Sequence, residues 1–473
     1  MHTLPKFIHC PRYGLNNIFV GDIHEGPAGL VNTNIISAFK LQNERTKTMK
    51  QLSLILIGCG DRGKCYMDYL DICPEKFKLV AVADLNVARR DYFKEKYNLS
   101  EDMCFGSYEE LLKKPKMADI AMICTQDKLH FAPAMMAIDK KYDLLLEKPV
   151  APTAEECYKI AENAKKNDVR VLVCHVLRYT PFFKTMKKFI SDGNLGEIMN
   201  VIHVEGLSHV HYSHSYTRGN WRNAAESSPM LLAKCCHDVD LLQWLIGKRC
   251  ERVSSVGTLS YYCEKNKPDG APARCTDGCP YSDTCVYYAP ELYKIRTEEI
   301  RHFREAVTKK FNPTDAEVDE ALKTSPYGRC VFQCDNDVVD HQIVNMEFEG
   351  DKYVTLTLSA FSTGKRECVF MGTKGELRAN SRKQIMKFID FASGETRDIY
   401  TKKINFDDSI GGGHGGGDAG IMEDLYDYIA LDKPSDSISD ITVSCENHLI
   451  CFAAEEARMS GKAVDMKEYI SKL

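Results

Sequence analysis

The segment Gly58-Cys59-Gly60-Asp61-Arg62-Gly63 constrains this chain most, because of what stands on either side of it. An apolar run at 54–57 leads straight into it, and an amphipathic stretch at 64–70 follows. Glycines between a strand and a helix let the backbone turn tightly and come close to a diphosphate, whose charge is met by the unpaired N–H groups at the helix start. The motif alone is a weak signal, so the reading rests on this strand–turn–helix context. Further short apolar runs at 79–83, 120–124, 144–146 and 171–174 alternate with amphipathic stretches. That alternation predicts βαβ units and a parallel sheet.

Beyond residue 173 the pattern changes. Apolar runs at 199–205, 342–348, 353–361, 368–371 and 384–391 follow one another with turn residues between them, and helical pieces fall at 231–245, 419–431 and 443–459. The expected fold class is α/β, with an N-terminal Rossmann doubly wound parallel sheet over 49–173. A C-terminal α/β domain with a large open, mostly antiparallel sheet is expected over 174–473, serving substrate binding and oligomerisation and carrying a Cys-rich insertion at about 262–330. A length of 473 residues suits two cores. Residues 1–48 show no sustained period and read as a disordered extension. Met49 directly precedes the first convincing strand, so an upstream extension of the true start is an equal reading of that stretch.

With 44% hydrophobic and 27% charged residues the composition is that of a globular protein, and a net charge of -5 offers no broad positive field to a nucleic-acid backbone. No run approaches the roughly 20 apolar residues of a membrane span, and the N-terminus lacks a basic-then-apolar leader. A cytoplasmic protein without membrane or nucleic-acid partners is expected. Many of the 20 cysteines, such as Cys124, Cys174, Cys235, Cys236 and Cys451, sit in apolar runs and read as reduced, buried thiols.

Asp84 closes the second strand, where a carboxylate accepts hydrogen bonds from an adenosine ribose; this favours NAD over NADP. Arg89 and Arg90, one turn on, leave NADP open, and Asp84 could instead cap the next helix.

Directly after the run 144–146 comes Glu147-Lys148-Pro149. Thr125 and His130 follow the preceding strand, Leu177-Arg178-Tyr179-Thr180-Pro181 marks the domain junction, Leu195-Gly196-Glu197-Ile198 opens the second domain, and His237-Asp238-Val239-Asp240 lies within a helix. In this order and at these separations the chain resembles the Gfo/Idh/MocA family of NAD(P)-dependent oxidoreductases. The resemblance implies that Lys148 contacts the reacting hydroxyl or carbonyl and that His237 transfers its proton. Such chemistry needs a base for the O–H while the C–H hydride leaves for the nicotinamide. Cofactor contacts are implied for Gly58, Gly60, Asp61, Arg62, Gly63, Asp84, Thr125, His130, Glu147, Lys148 and Arg178, and a homodimer or homotetramer is implied as the assembly. One departure stands out. Members commonly carry an aspartate four residues before the histidine, where this chain has Ala233 followed by Lys234.

His209, His211 and His214 with Tyr212, Tyr216, Arg218 and Trp221 form a polar aromatic segment that suits a sugar-like ligand, with a metal as a lesser alternative. The expected substrate contacts are His211, Tyr216, Arg218, Trp221, Lys234, Asp238 and His414. His414 sits within the glycine run 411–417, read either as a loop closing over substrate, with Asp418 capping the following helix, or as a flexible linker. Cys263, Cys275, Cys279 and Cys285 suggest a structural zinc, with an iron–sulfur centre or free thiols as alternatives. That element is expected to lie far from hydride transfer. The leading function is hydride transfer between a nicotinamide and a hydroxyl or carbonyl of a sugar, cyclitol or glycoside. The alternatives are glycoside cleavage through transient oxidation and elimination, and a non-catalytic dinucleotide sensor.

Overall fold

The computed structural model describes residues 50–295, 298–401 and 414–473. The expectations for 1–48 and for Gly411, Gly412 and Gly413 lie outside the described residues.

The first sheet contains β1 (Leu52–Ile57), β2 (Phe77–Ala83), β3 (Cys104–Phe105), β4 (Ile120–Ile123), β5 (Asp143–Leu146) and β6 (Val171–Val173), in the order β3-β2-β1-β4-β5-β6. Every pairing is parallel. Helices on both faces bury it, so its strands are nearly continuous apolar runs; β4 is buried at every position. Strand order reverses between β1 and β4, which opens a crevice at their carboxyl ends. Five of the six strands follow from the sequence pattern, and β3, two residues long, is too short to produce one.

The second sheet contains β7 (Ile198–Ser208), β8 (Cys250–Thr258), β9 (His341–Phe348), β10 (Lys352–Ser362), β11 (Lys365–Gly372), β12 (Gly375–Asn380), β13 (Ile385–Asp390), β14 (Thr396–Tyr400) and β15 (Val464–Asp465). Its order is β14-β13-β12-β11-β7-β10-β9-β8-β15. Only the central β7–β10 pair is parallel. One face is covered: in β9, Gln342, Val344, Met346 and Phe348 are buried while His341, Ile343 and Asn345 are exposed. The covered face carries the helices Met230–Ile246 and Ile441–Ser460. The strands β8, β12, β14 and β15 escaped the sequence reading because they are polar or very short.

Packing crosses the linear division at 173/174. Ala419, Ile421, Met422, Leu425 and Tyr426 of helix Gly417–Leu431 share a core with Leu52, Leu54 and Leu56 of β1 and with Tyr66 and Tyr69 of helix Asp61–Ile72. A late helix therefore completes the dinucleotide-binding half. The Cys-rich insertion packs as a separate cluster. It has a small core of its own, in which Leu292, Tyr293, Phe303, Val318, Leu322 and Tyr327 come together from three short helices and the 3-10 turn Pro326–Gly328. No helix among the described residues is long and apolar enough to cross a membrane.

Candidate active site

The glycine turn is shaped by what its backbone must avoid. Gly58 has φ +95°, and a Cβ there would lie 2.5 Å from the Cys124 carbonyl oxygen. A Cβ on Gly63 would lie 2.4 Å from the Gly58 carbonyl oxygen. A Cβ on Gly60 would meet only the Arg89 guanidinium, at 3.3 Å. Two glycines thus let the turn pack, while the third keeps open the side on which a diphosphate approaches, at the start of helix Asp61–Ile72. The residues present fit a bound dinucleotide.

At the end of β2, Asp84 accepts hydrogen bonds from the backbone N–H of Cys59 at 2.7 Å and of Asn86 at 2.7 Å. Helix capping falls to Asn86, whose side chain accepts from the Arg89 N–H. Asp84 therefore braces the glycine turn from the side where a ribose would lie.

Lys148 follows β5. Its loop is pinned from two directions: His130 bridges the Pro149 and Thr125 carbonyls at 2.7 and 3.1 Å, and His448 accepts from the Val150 N–H at 3.0 Å. Burial, with His175 nearby, holds His448 down to about 3, so it stays neutral. Glu147 turns inward to Arg62 at 2.8 Å and to the Tyr66 hydroxyl at 2.7 Å. Arg62 also donates to Asp418, which faces His414 at 3.2 Å. Burial opposes ionisation of Glu147 and Asp418, yet Arg62 outweighs it and both carboxyls lie below the usual carboxylate range.

The Lys148 amine donates to the Ala233 carbonyl at 2.9 Å. Ala233 is one turn before His237 on helix Met230–Ile246, so the amine is held against the helix that carries this imidazole. The His237 ring lies 5.7 Å from that of His175 and 6.0 Å from that of His414. Burial, followed by the charges of Lys148, His175 and His414, pushes His237 well below its ordinary value. The site therefore holds a neutral imidazole. His237 Nδ1 is buried without a hydrogen-bond partner.

A model of the oxidoreductase family, NAD-binding Rossmann fold, matches residues 52–175, and one of the oxidoreductase family, C-terminal alpha/beta domain, matches residues 187–434. The chain belongs to the Gfo/Idh/MocA oxidoreductase family. It is 24% identical over 397 residues to the putative oxidoreductase YteT of Bacillus subtilis, which covers 78% of this chain and 88% of that protein. With inositol 2-dehydrogenase of Salmonella typhimurium it shares 23% identity over 194 residues, 41% of this chain and 54% of that enzyme. A levoglucosan dehydrogenase solved with NADH and levoglucosan superposes with TM-score 0.64 at 16% identity, covering 88% of this chain and all (100%) of that one. An oxidoreductase from Agrobacterium radiobacter solved with NAD+, L-tartaric acid and magnesium gives TM-score 0.63 at 13% identity, covering 89% and 99%. These two structures establish the shared fold.

Within this family fold the remaining candidates separate. Lys234 lies 3.5 Å from Glu205 of β7, and Arg366 of β11 lies 3.2 Å from the other Glu205 oxygen. Asp238 is not brought to the cleft: fully buried, it accepts from Arg366 at 2.7 and 2.9 Å and contacts His203 at 2.6 Å. Arg178 is likewise buried and donates twice to Asp240, each at 2.7 Å, which fixes the junction rather than meeting a dinucleotide. Tyr216 is buried between the rings of His211 and Trp221. The Trp221 indole donates to Asp127 at 3.1 Å, and Ser228 donates to the same carboxylate at 2.8 Å, clamping the aromatic segment onto the first domain. Arg218 points away from the site, into the insertion.

The insertion is not remote from the dinucleotide turn. His302 of helix Glu298–Thr308 meets Asp61 at 2.6 Å, and Phe311 packs 4.7 Å from the Tyr92 ring. Sequence reasoning missed Glu205, Asp127, His175, His302 and His448. An acidic residue in the run 199–205, where Val201, Ile202 and Val204 are apolar, was the one local signal, marking Glu205.

Proposed function

We propose that this protein is an NAD-dependent oxidoreductase that interconverts a hydroxyl and a carbonyl on a sugar, cyclitol or glycoside. The observation that carries the reading is the meeting of Lys148 with the His237 helix, 2.9 Å from its amine to the Ala233 carbonyl, across the crevice that holds the glycine turn. Gly58, Gly60, Gly63 and Asp84 would hold the dinucleotide, whose nicotinamide accepts or returns a hydride when bound. Asp84 favours NAD, since a carboxylate at the ribose repels a 2′-phosphate. Neutral His237 takes the hydroxyl proton during oxidation and gives it back during reduction. The Lys148 ammonium hydrogen-bonds the reacting oxygen and stabilises the negative charge that develops there. Lys234 with Glu205 offers a donor and an acceptor to neighbouring hydroxyls, replacing the aspartate absent at 233. The levoglucosan held by a relative of the same fold supports a carbohydrate substrate.

The test is a screen of NAD reduction across sugars, cyclitols and glycosides. Turnover that depends on Lys148 supports the reading; NAD binding without turnover on any polyol sinks it.

A second reading, glycoside cleavage in which the hydride returns to the product, requires a cofactor that stays bound. The contact of His302 with Asp61, which ties the insertion to the start of the helix after the turn, favours it. Bond cleavage without net NADH would select it, and stoichiometric NADH would remove it. For self-association as a dimer or tetramer we assign the outer face of the nine-stranded sheet, where Ile202, Val256, Ile343 and Tyr353 are exposed. A monomer in sedimentation experiments would refute that assignment.

A further inference from the structure

We infer that Cys275, Cys279, Cys285 and Cys330 together ligate an iron–sulfur cluster inside the insertion. All four border one pocket, and Arg218 forms part of the same wall. An antiparallel bridge of Arg274 with Arg329 brings Cys330 in from far along the chain: Cys275 N–H donates to the Gly328 carbonyl and Cys330 N–H to the Ala273 carbonyl, each at 2.8 Å. The Cys285 N–H donates to the Tyr281 carbonyl at 2.9 Å, folding the chain back after Cys279. Cys263 is not a member, because its thiol donates to the Ser260 carbonyl at 3.3 Å and does not border the pocket.

Arg218 provides the independent argument. It is 0% exposed, and its guanidinium donates to the carbonyls of Arg329 and Tyr287, both at 2.7 Å, with Cys275 Sγ at 3.7 Å. Its Nη1 is buried with no partner. None of its contacts is a carboxylate. A guanidinium sealed from water without an anion is strongly disfavoured. Four thiolates around an iron–sulfur core form a net anion and supply the missing charge.

These thiols are not drawn together as a single tetrahedral ion would draw them. Zinc in a tetrahedral site draws its four sulfurs to within about 4 Å of one another, given bonds of about 2.3 Å. Among the described residues the one group of three ligand atoms within 4.8 Å of each other is Asp61, His302 and Glu305; no three of these thiols form such a group. A cluster takes one thiolate per iron and so holds its sulfurs further apart. On assembly each thiol gives up its proton as its sulfur binds iron, and the centre ties residues 273–285 to 328–330 and to Arg218.

The test uses the full chain purified without oxygen, analysed for iron and acid-labile sulfide. About four of each per chain are expected for a four-cysteine cubane, with visible absorption that bleaches on reduction. Changing Cys275, Cys279, Cys285 or Cys330 to Ser should abolish iron binding, whereas Cys263→Ser should retain it, as should Cys334→Ser, since the Cys334 thiol donates to the Cys330 carbonyl at 3.3 Å and does not border the pocket. Metal and sulfide content of the unaltered protein does not depend on whether any variant folds. Absence of iron and sulfide even after anaerobic reconstitution, stoichiometric zinc in their place, or loss of iron in Cys263→Ser but not in Cys330→Ser would each overturn the inference.

Discussion

In the six-stranded sheet β4 is buried at every residue, and the polar side chains that matter stand in the turns after β1, β2 and β5. In the nine-stranded sheet alternate residues of β9 reach solvent, and the polar groups of interest lie within the strands: Arg366 of β11 pairs directly with Glu205 of β7 on the covered face. A sheet covered on both faces presents a ligand only with its strand ends, whereas a sheet covered on one side can recruit residues anywhere along its inner face. The glycine turn, Asp84 and Lys148 stand at strand ends of the first region, whereas Glu205 and Arg366, with Lys234 beside them, meet on the inner face of the second.

Substitutions at the two regions should therefore differ in kind. Lys148→Met removes the amine from the turn after β5 and should lower kcat/KM by about 10²–10⁴-fold, with NAD affinity by calorimetry nearly unchanged; loss of NAD binding would assign Lys148 to holding the cofactor instead. Gly63→Ala drives a Cβ to 2.4 Å from the Gly58 carbonyl oxygen. At a cost of about 1–3 kcal/mol it should weaken NAD roughly ten- to hundredfold, and unchanged affinity would show that the turn is looser than its packing implies.

The histidines between the two regions give a pH test. Burial holds His175 and His237 well below their ordinary value and His448 at about 3. The unfolded chain gains protons below about pH 6.5 that the folded core refuses, so stability should be level above that pH and fall beneath it. Each such histidine costs about 1.4 kcal/mol at pH 5.5, and urea midpoints at pH 7.5, 6.5 and 5.5 read the slope. A flat profile would mean that these rings are hydrated. The smallest effect is expected in the second region: Lys234→Gln should raise KM for the substrate about three- to tenfold with kcat little changed. A fall in kcat instead would move Lys234 into the chemical step and erase the distinction between the regions.

The first region was far more legible than the second. The glycine turn and Lys148 lie where strand meets turn, so period and motif locate them from neighbours a few residues away. Glu205 meets Lys234 and Arg366, and Cys330 meets Cys275, only through strand register or a long return of the chain. Arg218 and Asp238 looked equally available in sequence, yet one lies inside the insertion and the other is held by Arg366 and His203.

The sequence by itself determined the alternation of strands and helices and the dinucleotide turn, because each is encoded by local periodicity and short spacing, while the parts proposed for Lys148 and His237 came from the family resemblance. Tertiary structure alone decided which carboxylates and thiols face one another, that a late helix completes the first core, and that His302 of the insertion reaches Asp61 beside the turn. Such contacts depend on burial and register between segments far apart in the chain, and no local pattern specifies them.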